Sequence, residues 1–223
     1  MKVGVLASGA GTNLQAILNR LHGREGVDVV AVGSDKPEAA ALERARAAGV
    51  PTAVFQVGGA EGIPSGSDPS RGPFPDRAAR DAAMAGWLAD RGVELVVLAG
   101  YMRLLSAAFL ARFPQRVVNV HPALLPAFPG IGAVEQALAY GVKTFGVTVH
   151  FVDDGVDTGP IILQRALDLP AATDAAEIRT ALRPLEHDLL CEAVRLIARD
   201  AVRIDPTNPR RVLIASREYR PAP

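Results

Sequence analysis

The chain has 223 residues, 49% of them hydrophobic and 22% charged, the balance of one well-buried globular domain with at most a small appendage. Its 24 basic and 24 acidic residues cancel to zero formal charge, which argues against nucleic acid as the main partner. The single cysteine, Cys191, excludes an intrachain disulfide and a cysteine metal cluster; in the apolar run Leu189-Leu190-Cys191 it reads as a buried structural residue.

Val3 to Ala7 is a continuous apolar strand of the kind buried in a parallel sheet. Met1 enters directly into this strand pattern, so no secretory leader is expected, and no apolar run is long enough to span a bilayer. The expected location is therefore cytoplasmic, with no membrane partner. Ser8-Gly9-Ala10-Gly11-Thr12-Asn13 follows, then a helix from Leu14. A strand, a glycine-rich turn and a helix N-terminus form an anion site, because free backbone N–H groups and the helix dipole both favour phosphate. The turn lacks the Gly-Lys-Ser/Thr ending of a nucleotide loop, and Leu14 stands where a dinucleotide fingerprint needs its third glycine. A plain tight turn remains the alternative.

Val27 to Val32 is a second strand, and Asp35 beyond it reads as a solvated loop acid rather than a ribose ligand. A helix over Ala39–Ala48, stopped by Gly49, leads to a third strand over Pro51–Phe55. This β-α-β-α-β alternation predicts an α/β domain with a parallel sheet. Val57 to Pro73 breaks the pattern with five glycines, three prolines and three serines, the composition of a long surface loop. A helix from Asp76 to Arg91 turns Met84, Trp87 and Leu88 inward. Leu95 to Gly100 is the most hydrophobic strand and so the central one; Tyr101-Met102-Arg103-Leu104-Leu105 lies at its C-terminal end, where open α/β sheets bind ligands.

The chemistry concentrates between Arg116 and Gln164. Val117-Val118-Asn119-Val120-His121 reads as a short strand, on which Asn119 and His121 share a face. Gly146 to Phe151 reads as another, with Thr148 and His150 on one face. Asp157 follows in the turn Gly155-Val156-Asp157-Thr158-Gly159-Pro160. An amide, an imidazole and a carboxylate at strand ends can polarise a carbonyl, stabilise developing charge and move a proton. Structural readings stand beside this one: Asn119 as a strand-end amide, His121 as a turn residue before Pro122, Asp157 as a turn cap. A helix from about Asp174 to Ala198 carries Glu186 and His187. Ala201–Ile204 and Arg211–Ile214 pair as a terminal hairpin.

With these residues in view, the chain resembles the phosphoribosylglycinamide formyltransferases (glycinamide ribonucleotide, or GAR, transformylases) of purine synthesis. The resemblance runs nearly end to end and rests on four ordered motifs: Ser8-Gly-Ala-Gly-Thr-Asn13-Leu-Gln-Ala, Ala99-Gly-Tyr-Met-Arg-Leu-Leu105, Asn119-Val-His121-Pro-Ala-Leu-Leu-Pro126 and His150-Phe-Val-Asp-Asp-Gly-Val-Asp157-Thr-Gly-Pro. It implies a Rossmann-like, mostly parallel β-sheet flanked by helices, and a metal-free transfer of the formyl group of 10-formyltetrahydrofolate to the amine of GAR, with Asn119, His121 and Asp157 as the catalytic trio. Gly11, Thr12 and Asn13 would hold the substrate phosphate, and Glu186 would bind GAR. Arg77, Met102, Arg103, Leu104, Leu105, Asn119, Asp153, Asp154, Gly155, Val156 and Asp157 would line the folate site. It also implies a cis bond before Pro126. The expected organisation is one formyltransferase domain with a phosphate-binding half (1–100), a catalytic and folate-binding half (101–200) and an appendage (201–223); a homodimer is an open assembly.

The sequence departs from that family in three places. The Val57–Pro73 loop is long, Ile131-Gly132-Ala133-Val134 replaces histidines common in the family, and Arg183 stands where a neutral residue is common. Three rival readings remain. A formyltetrahydrofolate hydrolase would share the Asn/His/Asp site but carry an N-terminal regulatory domain. A methionyl-tRNA formyltransferase would add a C-terminal domain and a basic surface. A non-catalytic dinucleotide-binding module would leave the trio unexplained.

Overall fold

The first strand, β1 (Lys2–Leu6), is buried from its second residue onward and lies parallel between β2 (Asp28–Ser34) and β4 (Leu95–Leu98). The computed structural model describes residues 1–58 and 73–215; the expected long loop falls largely on 59–72, outside the described residues. The chain divides into two compact units between Val118 and Asn119. In the first, α1 (Thr12–Arg20), α2 (Ala40–Ala47), β3 (Thr52–Val54), α3 (Arg77–Ala89) and α4 (Ala107–Arg112) complete the alternation. Its strands run in the order β3-β2-β1-β4, all parallel.

Apolar, β-branched runs make these strands: Val3, Val5, Leu6, Val32, Leu95, Val96 and Val97 are all fully buried. Side-chain caps start two helices of this first unit. Asp76 accepts from the Ala79 N–H at the head of α3, and Ser106 from the Phe109 N–H at the head of α4. Trp87 is core as predicted, 5% exposed and edge-on to Phe55.

The second unit contains β5 (Val117–His121, which starts two residues before the boundary), α5 (Ala133–Tyr140), β6 (Thr144–Phe151), β7 (Ile161–Asp168), α6 (Ala175–Ala198), β8 (Val202–Asp205) and β9 (Asn208–Ile214). Its strand order is β5-β6-β7-β9-β8, with β6–β7 and the expected terminal hairpin β8–β9 antiparallel. The 24-residue α6 packs on β6 and β7, burying Leu182, Leu190, Cys191 and Val194. The Leu125–Pro126 peptide is cis, as the resemblance implied. The predicted fold class, a mostly parallel α/β sheet flanked by helices, is the one observed. Among the described residues no helix is long and apolar enough to cross a membrane.

Candidate active site

β5 delivers Asn119 and His121 to one face by its two-residue period. The turn that follows is held by side chains of β6 and β7. Thr148 Oγ1 donates to the Ala123 carbonyl at 2.7 Å and accepts from the Leu125 N–H at 3.1 Å. Gln164 Nε2 donates to the Leu125 carbonyl at 2.8 Å and to Thr148 Oγ1 at 2.9 Å. Three of these bonds satisfy backbone groups of a turn that has no ladder of its own and the fourth braces their side chains, so the chain leaving His121 is fixed from two strands.

Asp157 reaches the same place from the β6–β7 connection, at φ +54°. Few side chains accept this left-handed backbone, and aspartate and asparagine are among them. Next to it, Gly159 admits no side chain, because a Cβ there would lie 1.8 Å from the Phe151 carbonyl oxygen. The connection is thus folded tightly back on the end of β6, and that aims the Asp157 carboxylate inward.

Four groups converge on that carboxylate. His121 Nδ1 lies 3.2 Å from Oδ2, and the Gly130 N–H donates to Oδ2 at 2.8 Å. Asn119 Nδ2 donates to Oδ1 at 3.4 Å, and His150 Nε2 lies 3.5 Å from Oδ1. Burial pushes the Asp157 carboxyl up, but the His150 hydrogen bond, the Gly130 N–H and the charges of His121 and His150 together outweigh it and bring it down to about 2. Asp157 is therefore a carboxylate at neutral pH, with its side chain 12% exposed.

An ionised Asp157 dictates the state of its neighbour. His121 Nε2 faces the Phe128 carbonyl at 2.8 Å while Nδ1 faces the carboxylate. Both partners only accept, so only an imidazolium satisfies both contacts. His150 donates from Nδ1 to the Phe151 carbonyl at 2.8 Å. Its Nε2 either accepts from Asn119 at 3.3 Å or donates to Asp157. The site thus offers an amide donor, an imidazolium and a compensating carboxylate, the set that stabilises an oxyanion and relays a proton.

The structure brings the predicted trio together within one unit. Asp153 stabilises the Asp157 turn: its Oδ1 accepts from Thr158 Oγ1 at 2.6 Å and from the Gly155 N–H at 3.2 Å. Asp154, Gly155 and Val156 are exposed beside it, and Glu186 is half-buried on α6.

The other predicted residues lie in the first unit. Gly11 caps α1 at φ +70°, and a Cβ there would sit 2.7 Å from the Ala41 Cα, so only glycine fits. Thr12 and Asn13 form the first turn of α1, with Asn13 8% exposed. Arg77 is exposed at the start of α3; Met102, Arg103 and Leu104 are exposed after β4, and Leu105 is half-buried. Asp35 is a correction: instead of a solvated acid it is 6% exposed and accepts from Arg103 Nε at 2.8 Å.

Sequence reasoning assigned no site role to His150, the Phe128 carbonyl or the Gly130 N–H. The signal for His150 was its place at the head of the fourth motif, on the face opposite the β6 valines. It missed Arg44 as well, which donates to the Ala10 carbonyl at 2.8 Å and to Gln15 at 3.0 Å beside the glycine turn. Among the described residues no three His, Cys, Asp or Glu side chains gather as a metal site.

Known proteins resemble this chain over most of its length. The phosphoribosylglycinamide formyltransferase of Bacillus subtilis strain 168 is 41% identical over 188 residues, covering 83% of this chain and 89% of its own. That of Mycobacterium tuberculosis strain H37Rv is 42% identical over 200 residues, covering 90% and 86%. The crystal structure of glycinamide ribonucleotide transformylase 1 from Symbiobacterium toebii superposes with a TM-score of 0.85 at 46% identity, over 96% of this chain and 93% of that one. Residues 1–194 match the formyl transferase family, to which this chain belongs.

Proposed function

We propose that the chain transfers the formyl group of 10-formyltetrahydrofolate to the primary amine of GAR, giving formyl-GAR and tetrahydrofolate. The observation that carries this reading is the His121 ring held between the Phe128 carbonyl and the Asp157 carboxylate, with the Asn119 amide beside it. In this mechanism the amine attacks the formyl carbon, and the carbonyl oxygen becomes the oxyanion of a tetrahedral intermediate. Asn119 Nδ2 and His121 donate to that oxyanion, His121 exchanging its Phe128 contact for the new partner. Asp157 keeps the imidazolium compensated, and with a water it carries the proton from the attacking amine to folate N10. The C–N10 bond then breaks, and tetrahydrofolate leaves with the proton.

In the same reading Gly11, Thr12 and Asn13 take the GAR phosphate, and the N-terminus of α1 suits that anion. Glu186 binds GAR. Arg77, Met102 to Leu105 and Asp153 to Asp157 meet the folate. The work would take place in the cytoplasm without a metal or nucleic acid, in a monomer or a homodimer.

The test is tetrahydrofolate formation by purified protein, with and without GAR. Turnover that requires GAR and yields formyl-GAR is the expected result. Turnover without GAR makes the chain a hydrolase, and silence in both arms with folded protein favours a binding module.

A further inference from the structure

The Met102–Ser106 segment combines two properties that rarely coincide. Its Met102 and Leu104 side chains are 63% and 57% exposed, yet its backbone and Arg103 are tied down at four points. The Met102 N–H donates to Ser8 Oγ at 2.9 Å, and Arg103 Nε donates to Asp35 Oδ2 at 2.8 Å. The Leu104 carbonyl accepts from Arg80 Nη2 at 2.9 Å, and the Ser106 N–H donates to Asp81 Oδ2 at 2.6 Å.

Two of those ties come from adjacent residues of α3. Arg80 and Asp81 are 3% and 0% exposed and pair with each other, Nε to Oδ1 at 2.8 Å and Nη2 to Oδ1 at 2.6 Å. A buried ion pair is a poor source of stability, since desolvation offsets most of its attraction and apolar residues of similar volume often serve as well. Apolar residues cannot, however, present one donor and one acceptor to the backbone of a neighbouring loop. Arg80 and Asp81 do so two residues apart on the same segment.

We propose that the Arg80–Asp81 pair is a positioning element that fixes the Met102–Ser106 backbone, so that Met102 and Leu104 form a preformed apolar platform for the folate. This inference rests on the reading that the segment meets the folate. Ordering a loose loop on binding costs about 1–2 kcal/mol per residue, and a loop ordered in advance spares the ligand that cost.

Two variants of the full chain test it: Asp81→Asn, and the double replacement Arg80→Met with Asp81→Leu, which keeps an apolar filling in place of the pair. Three readouts are compared with wild type: hydrogen exchange at the Ser106 amide, tetrahydrofolate binding by calorimetry, and steady-state kinetics in both substrates. The expected result is faster Ser106 exchange with tetrahydrofolate affinity reduced about tenfold, the size of losing one charge-assisted hydrogen bond. The KM for 10-formyltetrahydrofolate rises by a similar factor, while kcat and the KM for GAR stay within about twofold.

Faster exchange with unchanged folate affinity overturns the proposal. So does a fall in kcat alone, or unfolding of both variants, which would make the pair structural. Wild type that binds tetrahydrofolate without formylating GAR refutes the proposed function and leaves the tether standing on its binding and exchange arms. Wild type that binds no tetrahydrofolate sinks both.

Discussion

Replacing Asp157 with asparagine removes a charge and very little else. Asparagine fills the same volume, tolerates the backbone at φ +54° and can still accept from the Gly130 N–H through its amide oxygen. What it cannot do is compensate the His121 imidazolium 3.2 Å away. The Asp157 pKa falls from 3.8 to about 2, a shift worth about 2.5 kcal/mol at 1.36 kcal/mol per unit, or about 1–2 kcal/mol once solvent screening is allowed for. A folded-state pKa below the ordinary value means that the contribution is fully present above about pH 4 and is lost as the pH falls through about 2. At pH 7 the variant should therefore lose about 1–2 kcal/mol, measured by urea denaturation, and the gap from wild type should close between pH 4 and pH 2. A domain with typical stability of about 5–15 kcal/mol remains folded after such a loss. The fall in kcat should be far larger, about 10²–10⁴-fold, because proton transfer and oxyanion stabilisation both depend on the charge. A variant with kcat within about tenfold of wild type would refute the role given to Asp157.

Removing His150 takes away the largest of the influences that lower the Asp157 pKa, so His150→Phe should move the acid limb of the stability profile to higher pH, read from urea midpoints between pH 2 and pH 5. Gly11→Ala drives a Cβ to 2.7 Å from the Ala41 Cα at a left-handed φ; the expected outcome is about 1–3 kcal/mol of destabilisation and a raised KM for GAR, with an unchanged KM arguing against the phosphate assignment. Asp174→Ala removes the side-chain cap of α6 at the Glu177 N–H and should cost about 1 kcal/mol in denaturant titration without touching kcat.

The buried parallel strands were legible because their apolar runs are continuous, and Val117–His121 was read to the residue. The helices α4 and α5 were missed, at six and eight residues. The first is too short to show a helical period, and α5 starts from Gly132 at φ +75° rather than from a side-chain cap. Asp35 was misread because its partner, Arg103, lies 68 residues away and no local pattern announces such a pairing. The trio was visible through spacing and resemblance. Its setting was hidden, since the Phe128 carbonyl and Gly130 N–H carry no side-chain signature and reach His121 and Asp157 through backbone at positive φ.

The strand that carries Asn119 and His121 has one further consequence, for how this gene can change. Every residue of β5 but Asn119 is buried, so apolar alternation does not mark which face is which. The Asn119 and His121 side chains share a face only because one residue separates them. Inserting a codon between them would send amide and imidazole to opposite sides of the sheet, whereas exposed turns such as Asp205–Asn208 can absorb length changes. Descendants of this sequence should therefore vary in length at their turns while keeping Asn119 and His121 two residues apart.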